Sequence, residues 1–348
     1  AAAPSDDFET WDLARLLTEV DKHFTDALGS ADLLKTIPIT HYDEILQKGN
    51  VTDNHRPTLY DFIAFEALRF YSLDEQFIRQ QGAFEIRADG PIFASVDEFL
   101  NWSPETDDDD SFLMRAVKLY QDLLRFHEDD TDRTAFLDAD LHRLTFGRAV
   151  ANGSESGARY RAALKRYADE HVAHPLSATA LAQLAISVKA SGDYVEAKTI
   201  AEQGLARFPG SVGGRMCHNI IVDIEAASLQ VTTERIWNDN QATIDVRYRN
   251  TEKVYFRLIE FDYRHWARWG EFRTPQNIYG DEQNSLLRRR AVTEWSADLP
   301  KTEDYQERTE TVTVDVDARS GCYLLLCSTR SRFCLLYTSD AADDYFWV

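Results

Sequence analysis

The chain has 348 residues and a formal net charge of -21, with 44% hydrophobic and 28% charged residues. Those fractions describe a globular protein long enough for two domains with cores of their own, since domains run about 100–200 residues. The acidic balance excludes nucleic acid as an expected partner, because phosphate-backbone affinity comes from Lys and Arg displacing counterions. No run reaches the roughly 18 consecutive apolar residues of a membrane helix.

The first residues, AAAPSDDFETW, carry neither an initiating Met nor a signal-peptide pattern, so the start reads as an interior cut. From Phe8 to Leu28 the residues Trp11, Leu13, Leu16, Leu17, Val20, Phe24 and Leu28 recur at steps of three and four, which predicts an amphipathic helix. Further helices are expected over His41–Gln47, Thr58–Leu73, Val96–Trp102, Ser111–His127 and Asp132–Val150, each opening near an Asp, Ser or Thr able to cap it. The acidic runs Glu105–Asp110 and Glu128–Asp132 fall at helix boundaries, where carboxylates meet free amides and the positive end of the helix dipole. A calcium loop would need a turn glycine, and neither run has one.

Between Ser154 and Ser211 the chain repeats itself: Tyr160, Ala163 and Pro175 recur as Tyr194, Ala197 and Pro209, each displaced by 34 residues. That is the tetratricopeptide period. Small residues at Ala197, Ala201 and Gly204 allow a close helix approach, and Pro209 stops the second helix. Fewer than three units is too few for a free solenoid, so the repeat is expected to lean on its neighbours. Gly210–Ala227 supplies a further helix with Val212, Met216, Ile220, Ile221 and Ile224 as its apolar positions.

At Ser228 the periodicity changes from helix to strand. Thr243, Asp245, Arg247 and Arg249 alternate with Ile244, Val246 and Tyr248; after the Asn250–Thr251–Glu252 turn, Val254, Phe256, Leu258 and Phe261 continue the apolar set. Ala291–Leu299, Glu310–Asp317 and Gly321–Thr329 are three more strand candidates. About six strands in about a hundred residues predict an antiparallel β-sandwich, giving an α+β multidomain chain. The expected division is 1–227 helical, with the tetratricopeptide-like unit at 154–211, then 228–333 as the sandwich. Between strands lies an irregular stretch in which Trp266, Trp269 and Tyr279 stand among arginines. These aromatics could stack on a glycan or partner; the plainer reading is a long connection covering one end of the sandwich.

Cys322 and Cys327 lie five apart and face opposite sides of a strand, so no bridge joins them; with Cys217 they read as buried free thiols. The last residues depart in character. Cys334–Asp344, CLLYTSDAADD, resembles the translation of a transposase sequencing adapter, so 334–348 is expected to be a non-native tail with Phe333 the last natural residue.

Catalytic patterns do not emerge. His171 and His174 sit near one helical face, but a pair at i, i+3 before Pro175 reads as a helix end rather than a metal site, and no HExxH is present. Gly153–Ser154–Glu155–Ser156–Gly157 has the glycines of a nucleophile elbow without a strand before it, and reads as a loop and cap. No Gly-rich phosphate loop occurs. The residues thus predict no enzyme, no cofactor and no metal.

Three stretches carry a family resemblance: His55–Tyr71 (HRPTLYDFIAFEALRFY), Gly192–Ser211 (GDYVEAKTIAEQGLARFPGS) and Tyr248–Asp262 (YRNTEKVYFRLIEFD). Here the chain resembles the large alpha-2-macroglobulin-like envelope proteins of Bacteroidetes-type bacteria, over about Phe8 to Phe333. The resemblance implies a very long secreted or envelope-anchored protein of the periplasm or cell envelope, a lipid anchor among the options, that traps proteases when a bait segment is cleaved, with a thioester in some members. It further implies that this stretch is a non-catalytic scaffold beside adjoining macroglobulin-like domains. Neither Cys217, followed by His218–Asn219, nor Cys322, followed by Tyr323–Leu324, matches the family's thioester motif, so no functional residue is carried over. Two other readings fit the same residues: a helical-repeat adaptor with an immunoglobulin-like module binding a protein or glycan, and an accessory domain of a carbohydrate-active enzyme.

Overall fold

In the computed structural model, the described residues are all except 1–7, 47, 48, 50, 73–83, 105–110, 235, 238–241, 263–279, 315, 317, 318, 334–344 and 348. The protein is α+β, a helical region followed by strands. It divides into two compact units, one of 1–188 with 199–218 and one of 189–198 with 219–348.

The helices of the first part are α1 (Leu13–Leu28), α2 (Ala31–Leu34), α3 (Leu59–Tyr71), α4 (Val96–Leu100), α5 (Phe112–Phe126) and α6 (Thr134–Val150). Of these, α1, α3, α4 and α6 begin where side chains satisfy orphan amides of the first turn. Asp12 accepts from the Arg15 amide at 2.8 Å, and Ser95 from the Glu98 amide at 3.3 Å. Thr58 and Asp61 form a reciprocal capping box: the Asp61 amide donates to Thr58 Oγ1 and the Thr58 amide to Asp61 Oδ2. Asp132 of the second acidic run accepts from the Thr134 amide at 2.9 Å; the run Glu105–Asp110 lies outside the described residues. The helix expected over His41–Gln47 is instead a 3-10 turn, Ile39–Tyr42. Pro38 fixes its entry, and Ile45, which would have to supply the apolar face, is 77% exposed, so no burial supports a longer helix.

The core of this unit is lined by Phe65, Leu68, Leu123, Leu124, Leu144 and Tyr167, and it also encloses charge. Arg143 is fully buried, pairs with Asp140 and donates to the carbonyls of Pro91, Ile92 and Ala94. A guanidinium fork can satisfy that many acceptors from one point, which is why an arginine tolerates this site.

Four further helices follow: α7 (Ser156–Glu170), α8 (Leu176–Ala190), α9 (Tyr194–Arg207) and α10 (Val212–Glu225). Their small residues are where chains approach most closely. Ala163, Ala178, Ala197 and Ala201 are fully buried. A Cβ on Gly204 would meet Cys217 Sγ at 2.5 Å, and one on Gly213 would run into the backbone of Ala178 and Thr179.

The strands are β1 (Ser228–Thr233), β2 (Thr243–Arg249), β3 (Lys253–Glu260), β4 (Thr293–Asp298), β5 (Arg308–Thr313), β6 (Tyr323–Ser328) and β7 (Tyr345–Trp347). They form two antiparallel sheets, in the orders β1-β2-β5 and β4-β3-β6-β7. In β2 the expected alternation holds residue by residue: Ile244, Val246 and Tyr248 are buried, while Thr243, Asp245 and Arg247 are exposed. One apolar cluster draws on both sheets, including Leu229, Val231, Val246, Phe256, Leu258 and Leu325. The opposite side of β3 and β6 presents Ile259, Leu324 and Leu326, covered by Leu286 of α11 (Gly280–Leu287). Cys327 is buried in the shared cluster and Cys217 is buried at Gly204, but Cys322 is exposed. Cys322 precedes β6 instead of lying inside it, so the strand alternation expected to bury it does not reach it.

Candidate functional site

Where the Asn250–Thr251–Glu252 turn joins β2 to β3, the second unit has an open polar cavity of about 400 Å³. Three segments line it: Glu225 at the end of α10, the turn itself, and Lys301, Thr302, Glu303 and Tyr305 from the connection between β4 and β5.

The turn is anchored by Asn250. Its backbone is left-handed (φ 54°), a conformation an asparagine tolerates better than most residues, and its carboxamide donates to Ile224 O at 2.7 Å and Ala226 O at 3.0 Å. Those carbonyls lie at the end of α10, where the helix itself supplies no donors for them. The Asn250 amide in turn donates to Thr302 Oγ1 at 3.0 Å, and Thr302 is buried.

The third wall depends on Tyr305, which also has a left-handed backbone (φ 57°). For a bulky side chain that is a strained conformation, held only by what surrounds it. The Lys198 ammonium donates to the Tyr305 hydroxyl at 2.8 Å and pairs with Glu225 at 2.7 Å. The hydrogen bond to Glu225, with the Tyr305 bond next, holds the Lys198 pKa above its ordinary value, so this cation is charged throughout the physiological range.

Among the described residues no histidine or cysteine lines this cavity, and the one buried hydroxyl among them, that of Thr302, is already engaged by Asn250. The arrangement is suited to holding polar or charged groups by hydrogen bonds rather than to making and breaking bonds. None of its residues was singled out by sequence as a site. Asn250 was legible as a turn residue, but Tyr305 and Lys198 are 107 positions apart and meet only in the fold.

A second polar constellation lies in the first unit. His127 is 2% exposed, with Nε2 at 2.7 Å from Asp61 Oδ1 and Nδ1 at 2.7 Å from Asp130 Oδ2. Burial alone would lower the imidazole pKa; the hydrogen bonds and charges of Asp61 and Asp130 outweigh it and raise it. Both ring nitrogens are thereby engaged, and Asp61 also serves the Thr58 cap, so the group reads as a satisfied structural knot.

Trp266, Trp269 and Tyr279 lie outside the described residues. His171 and His174 are turned to different partners: His171 packs edge-on against Tyr167, while His174 Nε2 lies 3.2 Å from Thr134 Oγ1. Burial lowers both imidazole pKa values. Among the described residues no helix is long and apolar enough to cross a membrane. No family model, no curated protein and no solved structure matches the chain.

Proposed function

We propose that this chain is a non-catalytic scaffold segment of a large alpha-2-macroglobulin-like envelope protein that traps proteases, with a tetratricopeptide-like helical unit leading into an immunoglobulin-like β-sandwich. The observation that carries the sandwich reading is the strand order. Strands one, two and five form one sheet, and three, four and six belong to the other, as in immunoglobulin-like sandwiches except that the fourth strand pairs with the third. The apolar cluster common to both sheets supports the same reading. So does Tyr323 at the start of β6, whose hydroxyl donates to Arg319 O at 2.6 Å, the geometry of a tyrosine corner. The close packing at Gly204 and Gly213 is what a tetratricopeptide-like pair of hairpins requires.

The protease-trap reading rests on the resemblance at His55–Tyr71, Gly192–Ser211 and Tyr248–Asp262. A trap that encloses a protease blocks large substrates while leaving the protease active site open to small ones. The test is therefore to incubate the full-length protein with a broad-specificity serine protease and assay casein and a short chromogenic peptide in parallel. Loss of casein cleavage with peptide cleavage retained supports the proposal. Unchanged cleavage of both, or equal loss of both, overturns it. The isolated chain is expected to leave both activities unchanged.

A further inference from the structure

One wall of the cavity, the segment Pro300–Glu307, is fastened to its surroundings in a way that differs from the strands on either side. Of its eight residues only Thr302 is buried. Its fastenings are polar: Thr302 to the Asn250 amide, Tyr305 to Lys198, the Gln306 carboxamide to Gly192 O, and Glu307 to Arg247. Ion pairs of this exposure contribute little each and are weakened by salt. Tyr305 adds backbone strain that is relieved when the segment is free. The adjoining β3 is the opposite case, with Val254, Phe256 and Leu258 essentially unexposed in the apolar cluster.

We propose that Pro300–Glu307 is a releasable strap, latched by Tyr305 on Lys198, which lifts from the β2–β3 turn and removes one wall of the cleft while the sheets stay folded. Segments with few apolar contacts open at a small fraction of the free energy of global unfolding, and in this one the opening uncovers the Asn250 amide at the floor of the turn. Because two of its fastenings, Tyr305 to Lys198 and Glu307 to Arg247, involve a charged group, rising ionic strength shifts the strap toward the open state.

Amide hydrogen exchange on the whole chain tests the proposal, because the Asn250 amide is covered by Thr302 Oγ1 of the strap and reports its lifting directly. The Asn250 amide is expected to exchange at least about tenfold faster than the amides of β3. Lys198→Met is expected to accelerate it roughly two- to fivefold, the range of an exposed ion pair. Tyr305→Phe, which keeps the ring and removes only the hydroxyl, should accelerate it less, and raising sodium chloride from low to high concentration should act in the same direction. The β3 amides should respond to none of these changes. The strap is overturned if Asn250 and β3 exchange together, or if Asn250 is indifferent to both Lys198→Met and salt.

Discussion

His127 and Asp61, 66 positions apart in sequence, meet at 2.7 Å in a pair whose side chains are 2% and 1% exposed. The groups facing the ring are Asp61, Asp130 and, through the His127 carbonyl, Arg133. The fold raises the imidazole pKa above its unfolded value of about 6.5. A raised value means that the folded state holds the proton more tightly than the unfolded state. The stabilisation is thus complete below about pH 6.5 and is lost as pH rises through the folded value. His127→Ala should cost about 3 kcal/mol near pH 6, the usual result of stripping one partner from a buried pair. Urea unfolding of both proteins from pH 6 to 9 should show the gap narrowing with pH; a constant gap would mean that His127 is held as a neutral ring.

Arg143 gives a second stability test without pH dependence in the neutral range. Its guanidinium serves Asp140 and three carbonyls of the Pro91–Ala94 segment. Arg143→Lys keeps the charge but cannot reproduce the fork, and its three donors leave at least one of the four acceptors without its Arg143 bond. Both Arg143→Lys and Arg143→Met are expected to destabilise by about 3–5 kcal/mol. Retention of wild-type stability by the lysine variant in chemical denaturation would show that charge alone suffices there.

Three of the four glycines of the α9–α10 region, Gly204, Gly210 and Gly213, should rank by what surrounds them. Gly210 has open space, Gly204 has a cysteine sulfur and Leu181 Cβ, and Gly213 has backbone. A side chain can shift to admit a methyl group, but the backbone of a packed helix cannot without moving the helix. Gly213→Ala is therefore expected to cost about 3 kcal/mol, Gly204→Ala about 1–2 kcal/mol, and Gly210→Ala close to nothing. Thermal unfolding of the three variants checks the order.

The legible parts of the fold are those set by neighbours in sequence. The caps at Asp12, Thr58 and Ser95 and the bond from the Thr134 amide to Asp132 are local chemistry, as is the alternation of β2, and the change from helix to strand at Ser228 follows from periodicity alone. What stayed hidden depends on partners far along the chain. Nothing near His127 announces Asp61, and nothing near Tyr305 announces Lys198. The expected burial of Cys322 failed for a related reason, since alternation predicts facing only within a strand and β6 begins one residue later. The cavity combines both kinds of information: Asn250 is recognisable as a turn residue, but its carboxamide acts on the end of a helix about 25 residues earlier.

Thiol reactivity should separate the cysteines by burial. Burial pushes the Cys217 thiol up to about 11, so little thiolate is present at neutral pH, and Cys327 is buried in the apolar cluster. Cys322 is exposed. Iodoacetamide on the native protein at pH 8 should label Cys322 within minutes and leave Cys217 and Cys327 unlabelled until denaturant is added, as read by peptide mass mapping. Equal native labelling of Cys217 would contradict the packing at Gly204.

Substitutions at Asn250 separate its two roles, conformational and hydrogen-bonding. Asn250→Gly keeps access to the left-handed backbone and loses both bonds to the end of α10, so it should cost about 1–2 kcal/mol. Asn250→Ala loses the same bonds and adds left-handed strain of about 1–2 kcal/mol, so its cost should exceed that of glycine by that amount. Asn250→Asp is the discriminating variant. It matches asparagine in size and in tolerance of the left-handed region, but it offers carboxylate oxygens to two carbonyl acceptors. If the carboxamide donates to Ile224 O and Ala226 O, aspartate must be worse than glycine, because it replaces two attractions with two repulsions at a helix C-terminus that already carries partial negative charge. Urea denaturation should therefore order the variants as glycine least affected, with alanine and aspartate both below it. An aspartate variant as stable as the parent would remove the anchor from the turn and, with it, the reason that the cavity has a fixed wall for the strap to close against.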